Sequence, residues 1–426
     1  MTRERALDGK PYAENPHVRF YEMECTPVAT TRSGPLLYNV MFSMKKALAL
    51  ATFFVITIMQ TAIAATPQVK NVRAMQQYPW GKVYITYEVV GDIVAGSGKT
   101  PFLVVKAQDK TTGEIYGHVA VGDSCLSGDT GTAAGLHKVV WNIGEQGVAL
   151  DSTNVIFIVS YYDEEYLVVD LSAGANATSY PVTYLDSPPS GGFNVDTYKT
   201  TKLVLRRLEA GTFKMQNSTN VKLTKPFFCG MFEVTQRQYE LVTGSNPSTS
   251  LTYYNTYPVY SVSYNMIRGN SKGAQWPSSS QVDESSFLGK LRARTGLQFD
   301  LPTEAQWEYA CRAGTTTTYY WGNSMDESYA WYQYNSGSAT HPVGNTTPNA
   351  WRLYDMSGNV EEWCLDWYAT LSYGTNPKGS SSGSSRVLRG GSWNAPADSC
   401  TSSCRDRDSP SYGGGKYGFR VTITCQ

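Results

Sequence analysis

Histidine is scarce in this chain: four in 426 residues. Net charge is absent too, since Lys plus Arg and Asp plus Glu number 36 each. With no net field and no Lys/Arg run, nothing in the sequence points to nucleic acid or an acidic surface as a partner. No Cys-x-x-Cys pair occurs among the eight cysteines, which argues against a zinc ribbon or a thioredoxin-like centre. The longest apolar run, Ala47 to Met59, is about 13 residues, short of the roughly 20 that cross a bilayer.

That run belongs to a different pattern. Lys45 and Lys46 precede it, and Ala62-Ile63-Ala64 follows with small residues at signal-peptidase positions. Residues 44–64 therefore read as a signal peptide, and the protein as exported to the periplasm, cell surface or medium, with no membrane span after cleavage. Residues 1–43 show no pattern and are expected to be an over-long start ahead of Met44. Seven cysteines would remain: Cys125, Cys229, Cys311, Cys364, Cys400, Cys404 and Cys425. Export permits disulfides, an odd number leaves at least one thiol unpaired within the chain, and spacing alone does not set the pairing.

What is plentiful is aromatic residues, 30 Tyr and 10 Trp among them, set in Gly- and Ser-rich text. From 65 to 187 the chain reads as short β-branched and aromatic strands: VYITYEVV (Val83–Val90), PFLVVKAQD (Pro101–Asp109), IYGHVAV (Ile115–Val121), HKVVWNI (His137–Ile143) and NVIFIVSYY (Asn154–Tyr162). Turn residues separate them, as in an immunoglobulin- or fibronectin-like β-sandwich. The segment collects no acids, bases or nucleophiles and reads as a spacer or docking domain. A Pro/Gly/Ser stretch starting at Asp186 leads into a linker over 188–201. A second domain, 202–426, follows. Two helices there carry their own punctuation: Thr235 with Gln238, and Thr303 with Gln306, form capping boxes, and Gly244 and Gly314 stop the helices. Trp307, Ala310 and Cys311 share the apolar face of the second helix.

The blocks GTFKM (Gly211–Met215), EVTQRQYE (Glu233–Glu240), LPTEAQWEYACRAG (Leu301–Gly314), YYWGN (Tyr319–Asn323), HPVGNTTPNAWRLYDMSGNVEEW (His341–Trp363), RVLRGGSWN (Arg386–Asn394) and YGFRV (Tyr417–Val421) occur in that order. This succession resembles the formylglycine-generating-enzyme, or sulfatase-modifying-factor, family. The resemblance implies an α+β, C-type-lectin-like fold with little regular secondary structure, preceded here by the β-sandwich.

It also implies a structural Ca²⁺ held by Asp355 and Glu362 carboxylates with the Gly358 and Val360 carbonyls, hard oxygen donors that suit the ion. A second calcium site would fall at Trp331, Tyr332, Asn335 and Gly337, where only Asn335 offers a suitable side chain. For catalysis, the family's aerobic enzymes oxidise a substrate cysteine with Cu(I) held by two thiolates five residues apart. The positions here are Ala395 and Cys400. A methyl group cannot ligate copper, so the site as the family builds it is absent. Glu361 stands where the family has a tryptophan, and Ser399 where it has a tyrosine; Ser392 matches the family's active-site serine. Cys404, four residues past Cys400, leaves three readings open: a replacement copper ligand, a disulfide with Cys400, or pairing with Cys364 or Cys425. Iron chemistry of related branches needs paired histidines, and only His118, His137 and His341 follow the signal, without ligand spacing.

The tract Asn394–Val421, with SPSYGGGKY (Ser409–Tyr417) at its centre, lacks core periodicity and is rich in adaptable contact residues. It resembles the ligand-facing region of lectin-like variable proteins from diversity-generating retroelements. An ordinary surface loop of a divergent enzyme is the plainer reading of the same residues. Two functions are thus expected. One is an exported binding or scaffold module for a protein or glycan ligand, lacking oxidase activity. The other is a divergent oxidase acting on an exported sulfatase, with Cys400 and Ser392 as its catalytic residues.

Overall fold

The computed structural model describes residues 20–26, 41–47, 68–77, 81–90, 102–111, 115–120, 126–129, 131, 133–143, 155–162, 165–248 and 255–424. From position 48 on, the expected signal segment and its cleavage site lie outside the described residues, as do Cys125 and Cys425. Met41–Ala47 pairs antiparallel with Phe20–Thr26. The chain divides into two compact units, Met1–Tyr162 and Asp163–Gln426.

In the first unit, strands Gln68–Gln77, Lys82–Val90, Gly135–Trp141 and Leu126–Gly128 form a four-stranded sheet in that spatial order. Ile115–Ala120, Phe102–Asp109 and Val155–Tyr162 form a three-stranded one. Alternate residues of Lys82–Val90 point inward, so Val83, Ile85, Tyr87 and Val89 pack with Leu103, Val105, Ala107, Val155, Phe157 and Val159 in one core. Period-2 patterning has produced the expected β-sandwich. His137 is buried there; its ring lies 5.4 Å from that of Tyr87, and Nε2 is 2.9 Å from the Ala133 carbonyl. It is a clasp within a hairpin, far from any other histidine in sequence.

The second unit is built on a five-stranded antiparallel sheet. Its order is Val182–Leu185, Tyr166–Asp170, Lys202–Leu208, Phe227–Gly230 and Thr422–Thr424, so the C-terminal strand pairs with Phe227–Gly230 at one edge. This moves the expected boundary. The first two strands, assigned from sequence to the β-sandwich, find their partner in Lys202–Leu208, and Tyr166 and Val168 are buried with Val204 and Leu208. The expected linker is packed structure as well. Phe193 is buried in that core, the Asn194 amide donates to the Gly344 carbonyl at 2.9 Å, and Thr197–Thr200 is a helical turn.

Both capping boxes are present, on helices Gln236–Thr243 and Glu304–Arg312. Gly244 closes the first in the left-handed region; Ala313 takes that role in the second, one residue before the expected Gly314. Trp307, Ala310 and Cys311 enter the main core as their spacing requires. A four-stranded sheet (Arg405–Asp408, Arg386–Arg389, Glu361–Trp367, Tyr417–Gly418) crosses this helix and carries the site residues on its strands and their connecting turns.

Candidate functional site

Strand Arg386–Arg389 runs into Gly390 and Gly391, both at positive φ (96° and 69°). A Cβ on Gly391 would lie 2.7 Å from Cys400 Sγ, so glycine is what lets the thiol seat against this turn. Ser392 is fully buried, and its Oγ donates to Asn394 Oδ1 at 2.9 Å. The 3₁₀ turn Ala397–Cys400 then carries the sulfur inward. Cys400 is 0 % exposed and packs with Ala395, Tyr319 and Tyr332, flanked by Trp321, Met325 and Ala397. The two positions at which the resemblance implies copper ligands share one aromatic cluster that contains a single cysteine. Burial pushes the Cys400 thiol up to about 12, helped by Glu361 and Cys404 and opposed by the Ser392 and Gly358 amides. Without a metal it is a thiol at neutral pH, and a soft metal that binds there displaces that proton. Cys229, Cys311, Cys364, Cys400 and Cys404 are all free, so Cys400 is disulfide-bonded to none of them.

Glu361 is 3 % exposed on strand Glu361–Trp367, with Lys416 Nζ 2.7 Å from its carboxylate and 3.7 Å from that of Asp406. Burial raises its pKa to about 7 against the pull of Lys416. A carboxyl whose folded pKa exceeds its unfolded one holds its proton more tightly when folded. The protein therefore loses stability as pH rises from the unfolded value, near 4.5, through about 7. Glu361→Gln removes that loss. Its melting midpoint relative to wild type is expected to climb by about 2–4 °C between pH 5 and pH 8; a constant difference across that range contradicts the assignment.

Each of the four residues expected to hold calcium makes contacts within the chain. Asp355 is buried at φ +54°, and its two carboxylate oxygens accept from the Gly344 amide (2.6 Å) and Thr346 Oγ (2.8 Å). Glu362 takes a bidentate pair from Arg420, at 2.6 to 2.9 Å, and the Trp307 indole N–H at 2.8 Å. Gly358, at φ +77°, is needed for close approach, since a Cβ there would meet the Trp331 carbonyl oxygen at 2.1 Å. The Val360 amide donates to buried Glu233 at 3.1 Å. Asn335 is likewise used locally, accepting from the Tyr332 amide and donating to the Ala330 carbonyl. Among the described residues no group of three His, Cys, Asp or Glu side chains is arranged to hold a metal.

Sequence reasoning passed over an aromatic surface beside the Ser392 turn. Trp331 stacks on His341 with centroids 3.7 Å apart, and His341 Nε2 lies 2.8 Å from the Ser336 carbonyl. Ser336 Oγ donates to the Trp393 carbonyl (2.7 Å), and the Trp393 indole N–H reaches Gly415 at 3.4 Å. Tyr334 is 75 % exposed and Tyr412 is 55 % exposed. The tract Ser409–Tyr417 is pinned: Asn265 and Ser261 amides donate to the Pro410 and Gly414 carbonyls, and Tyr417 Oη donates to Asp408. Of these contacts, Ser336–Trp393, Asn265–Pro410 and Ser261–Gly414 join residues more than 50 apart and leave no local signal.

The profile of the sulfatase-modifying factor enzyme 1-like domain matches residues 195–425. The chain belongs to that family. Within it, the chain is 30 % identical over 195 residues to the mouse (Mus musculus) formylglycine-generating enzyme, covering 41 % of this chain and 46 % of the enzyme. It is 41 % identical over 127 residues to the serine/threonine-protein kinase pkn1 of Chlamydia caviae, covering 28 % of this chain and 20 % of the kinase. The chaperone protein LppX of Paenibacillus barcinonensis is 29 % identical over 233 residues, 44 % of this chain and 77 % of that protein. Among solved structures, Treponema denticola variable protein 1 aligns over 52 % of this chain and 95 % of its own at 28 % identity, with a TM-score of 0.43. The sulfatase-modifying-factor domain of this protein thus has relatives with a range of names, and it spans less than half of the mouse enzyme and a fifth of the kinase.

Proposed function

We propose that this protein is an exported binding or scaffold module whose sulfatase-modifying-factor domain lacks oxidase activity. One observation carries the reading. The pocket that would hold copper contains one cysteine, the fully buried Cys400, against the Ala395 methyl and two tyrosine rings. Oxygen activation by Cu(I) needs two thiolates and an open approach for the substrate cysteine. Family membership does not supply an activity by itself, since relatives are named as kinase, chaperone and formylglycine-generating enzyme. Export rests on the signal-like segment 44–64. The proposed ligand face is the pinned Ser409–Tyr417 tract with exposed Tyr412, joined by Trp393, whose indole reaches Gly415. Rigid aromatics with Ser and Gly provide contact area at little entropic cost, and a protein or glycan is the class of ligand that suits it.

The purified chain is to be incubated with Cu(I), oxygen and a Cys-x-Pro-x-Arg peptide. No aldehyde is the expected result. Aldehyde that forms with wild type and disappears with Cys400→Ser establishes the alternative, a divergent oxidase with Cys400 as its ligand and Ser392 beside it.

A further inference from the structure

We infer that the domain carries its own cation, Arg420, on Glu362 where the family resemblance places calcium, so that its fold is independent of the metal. The argument starts from donor counting. A Ca²⁺ ion takes six to eight oxygen ligands at about 2.3–2.6 Å and needs carboxylate lone pairs free to face it. Glu362 presents both oxygens to the Arg420 guanidinium, which is itself 0 % exposed and also donates to the carbonyls of Gly230 and Tyr354. A planar guanidinium in bidentate contact occupies the geometry a cation would use on that carboxylate. Asp355 spends its oxygens on Gly344 and Thr346, which anchors the turn after Val343.

Lys199 is a further buried cation of this unit. It comes from the helical turn Thr197–Thr200, is 6 % exposed, and lies over the Phe232 ring at 5.6 Å. Burial lowers its pKa, and Asp355 is the larger of the two carboxylates that work against this. A buried ammonium is tolerated only where such a charge compensates it. The remaining carboxylate of the cluster, Glu233, accepts from the Val360 amide and the Asn359 side-chain amide. Each acid in the cluster is thus matched by a donor from the chain, and a metal would have to displace Arg420 to bind Glu362.

The test uses the full chain. Wild type is titrated with CaCl₂ by calorimetry and melted in EDTA and in millimolar CaCl₂. No binding heat and midpoints within about 1 °C of each other are expected. A midpoint that falls in EDTA and recovers with calcium overturns the inference. The role of Lys199 is read separately. Lys199→Met is expected to melt at least about 4 °C lower, and Lys199→Arg, which keeps the charge, to recover at least half of that drop. A Lys199→Met protein that melts like wild type removes Lys199 from the account. This outcome is independent of whether the domain binds a partner or oxidises a peptide.

Discussion

Glu308→Ala is expected to unfold a large share of the molecules at physiological temperature. Glu308 is 0 % exposed on helix Glu304–Arg312 and stands between two buried guanidiniums, Arg312 at 2.8 Å and Arg389, with the Gln216 amide at 2.7 Å. One turn earlier, Glu304 holds Arg405 and is 3.4 Å from Arg389. Arg389 itself is fully buried on strand Arg386–Arg389 beneath the Gly390-Gly391 turn, with its guanidinium 5.0 Å from the Trp307 ring. Alanine at 308 leaves Arg312 in the interior without its counter-charge and Arg389 with Glu304 alone. Breaking a buried pair in this way costs about 3–5 kcal/mol, a large part of the ~5–15 kcal/mol that separates folded from unfolded domains. Denaturant melts check the size of the loss. Coupling is checked by adding Arg389→Met to the Glu308→Ala background, which removes one of those two charges and is expected to restore part of the loss. A single variant within about 1 kcal/mol of wild type contradicts the assignment of this network as structural.

Ala395→Cys is expected to turn the Cys400 pocket into a Cu(I) site. Ala395 and Cys400 already share one cluster, so a cysteine at 395 brings a second sulfur to the first, and soft thiolates select Cu(I). Metal binding drives off the thiol protons, which offsets the raised pKa of Cys400. The variant is expected to take up one Cu(I) per chain and to be stabilised by about 2.7 kcal/mol when free copper is a hundredfold above Kd. Thiolate-to-copper absorption reports the bond, and Cys400→Ser in the same background is expected to abolish it. A variant that binds copper no better than wild type shows that the two positions do not face one another.

Local signals in the sequence were legible, and signals that depend on distant partners were not. The capping boxes at Thr235 and Thr303 and the apolar face of Trp307, Ala310 and Cys311 appear in the structure because each is settled within one or two helical turns. The β-sandwich was legible through its alternation. Its end was not. Tyr166–Asp170 and Val182–Leu185 have the same composition as the strands before them, and only pairing with Lys202–Leu208 assigns them to the second unit. The site residues divide in the same way. That Ala395 lacks a sulfur is read directly from the chain, and the structure places it against Cys400. The calcium expectation rested on acidic residues seven apart at 355 and 362. What occupies Glu362 is Arg420, 58 residues further on, for which the spacing holds no clue. Glu304, Glu308 and Arg312, at i, i+4 and i+8, resemble the solvated stripe of a surface helix, yet all three are buried, the two acids against strand arginines and Arg312 against Glu308.

Because the account stands on the number of thiolates that face one metal, the direct measurement is the copper stoichiometry of the wild-type chain at neutral pH. Competition against a chromophoric Cu(I) chelator, run in parallel on Cys400→Ser, gives it. Superimposable curves with no copper retained at the pocket are predicted. Retention of one Cu(I) per chain by wild type and its loss on removing the Cys400 sulfur contradicts the reading and restores the oxidase.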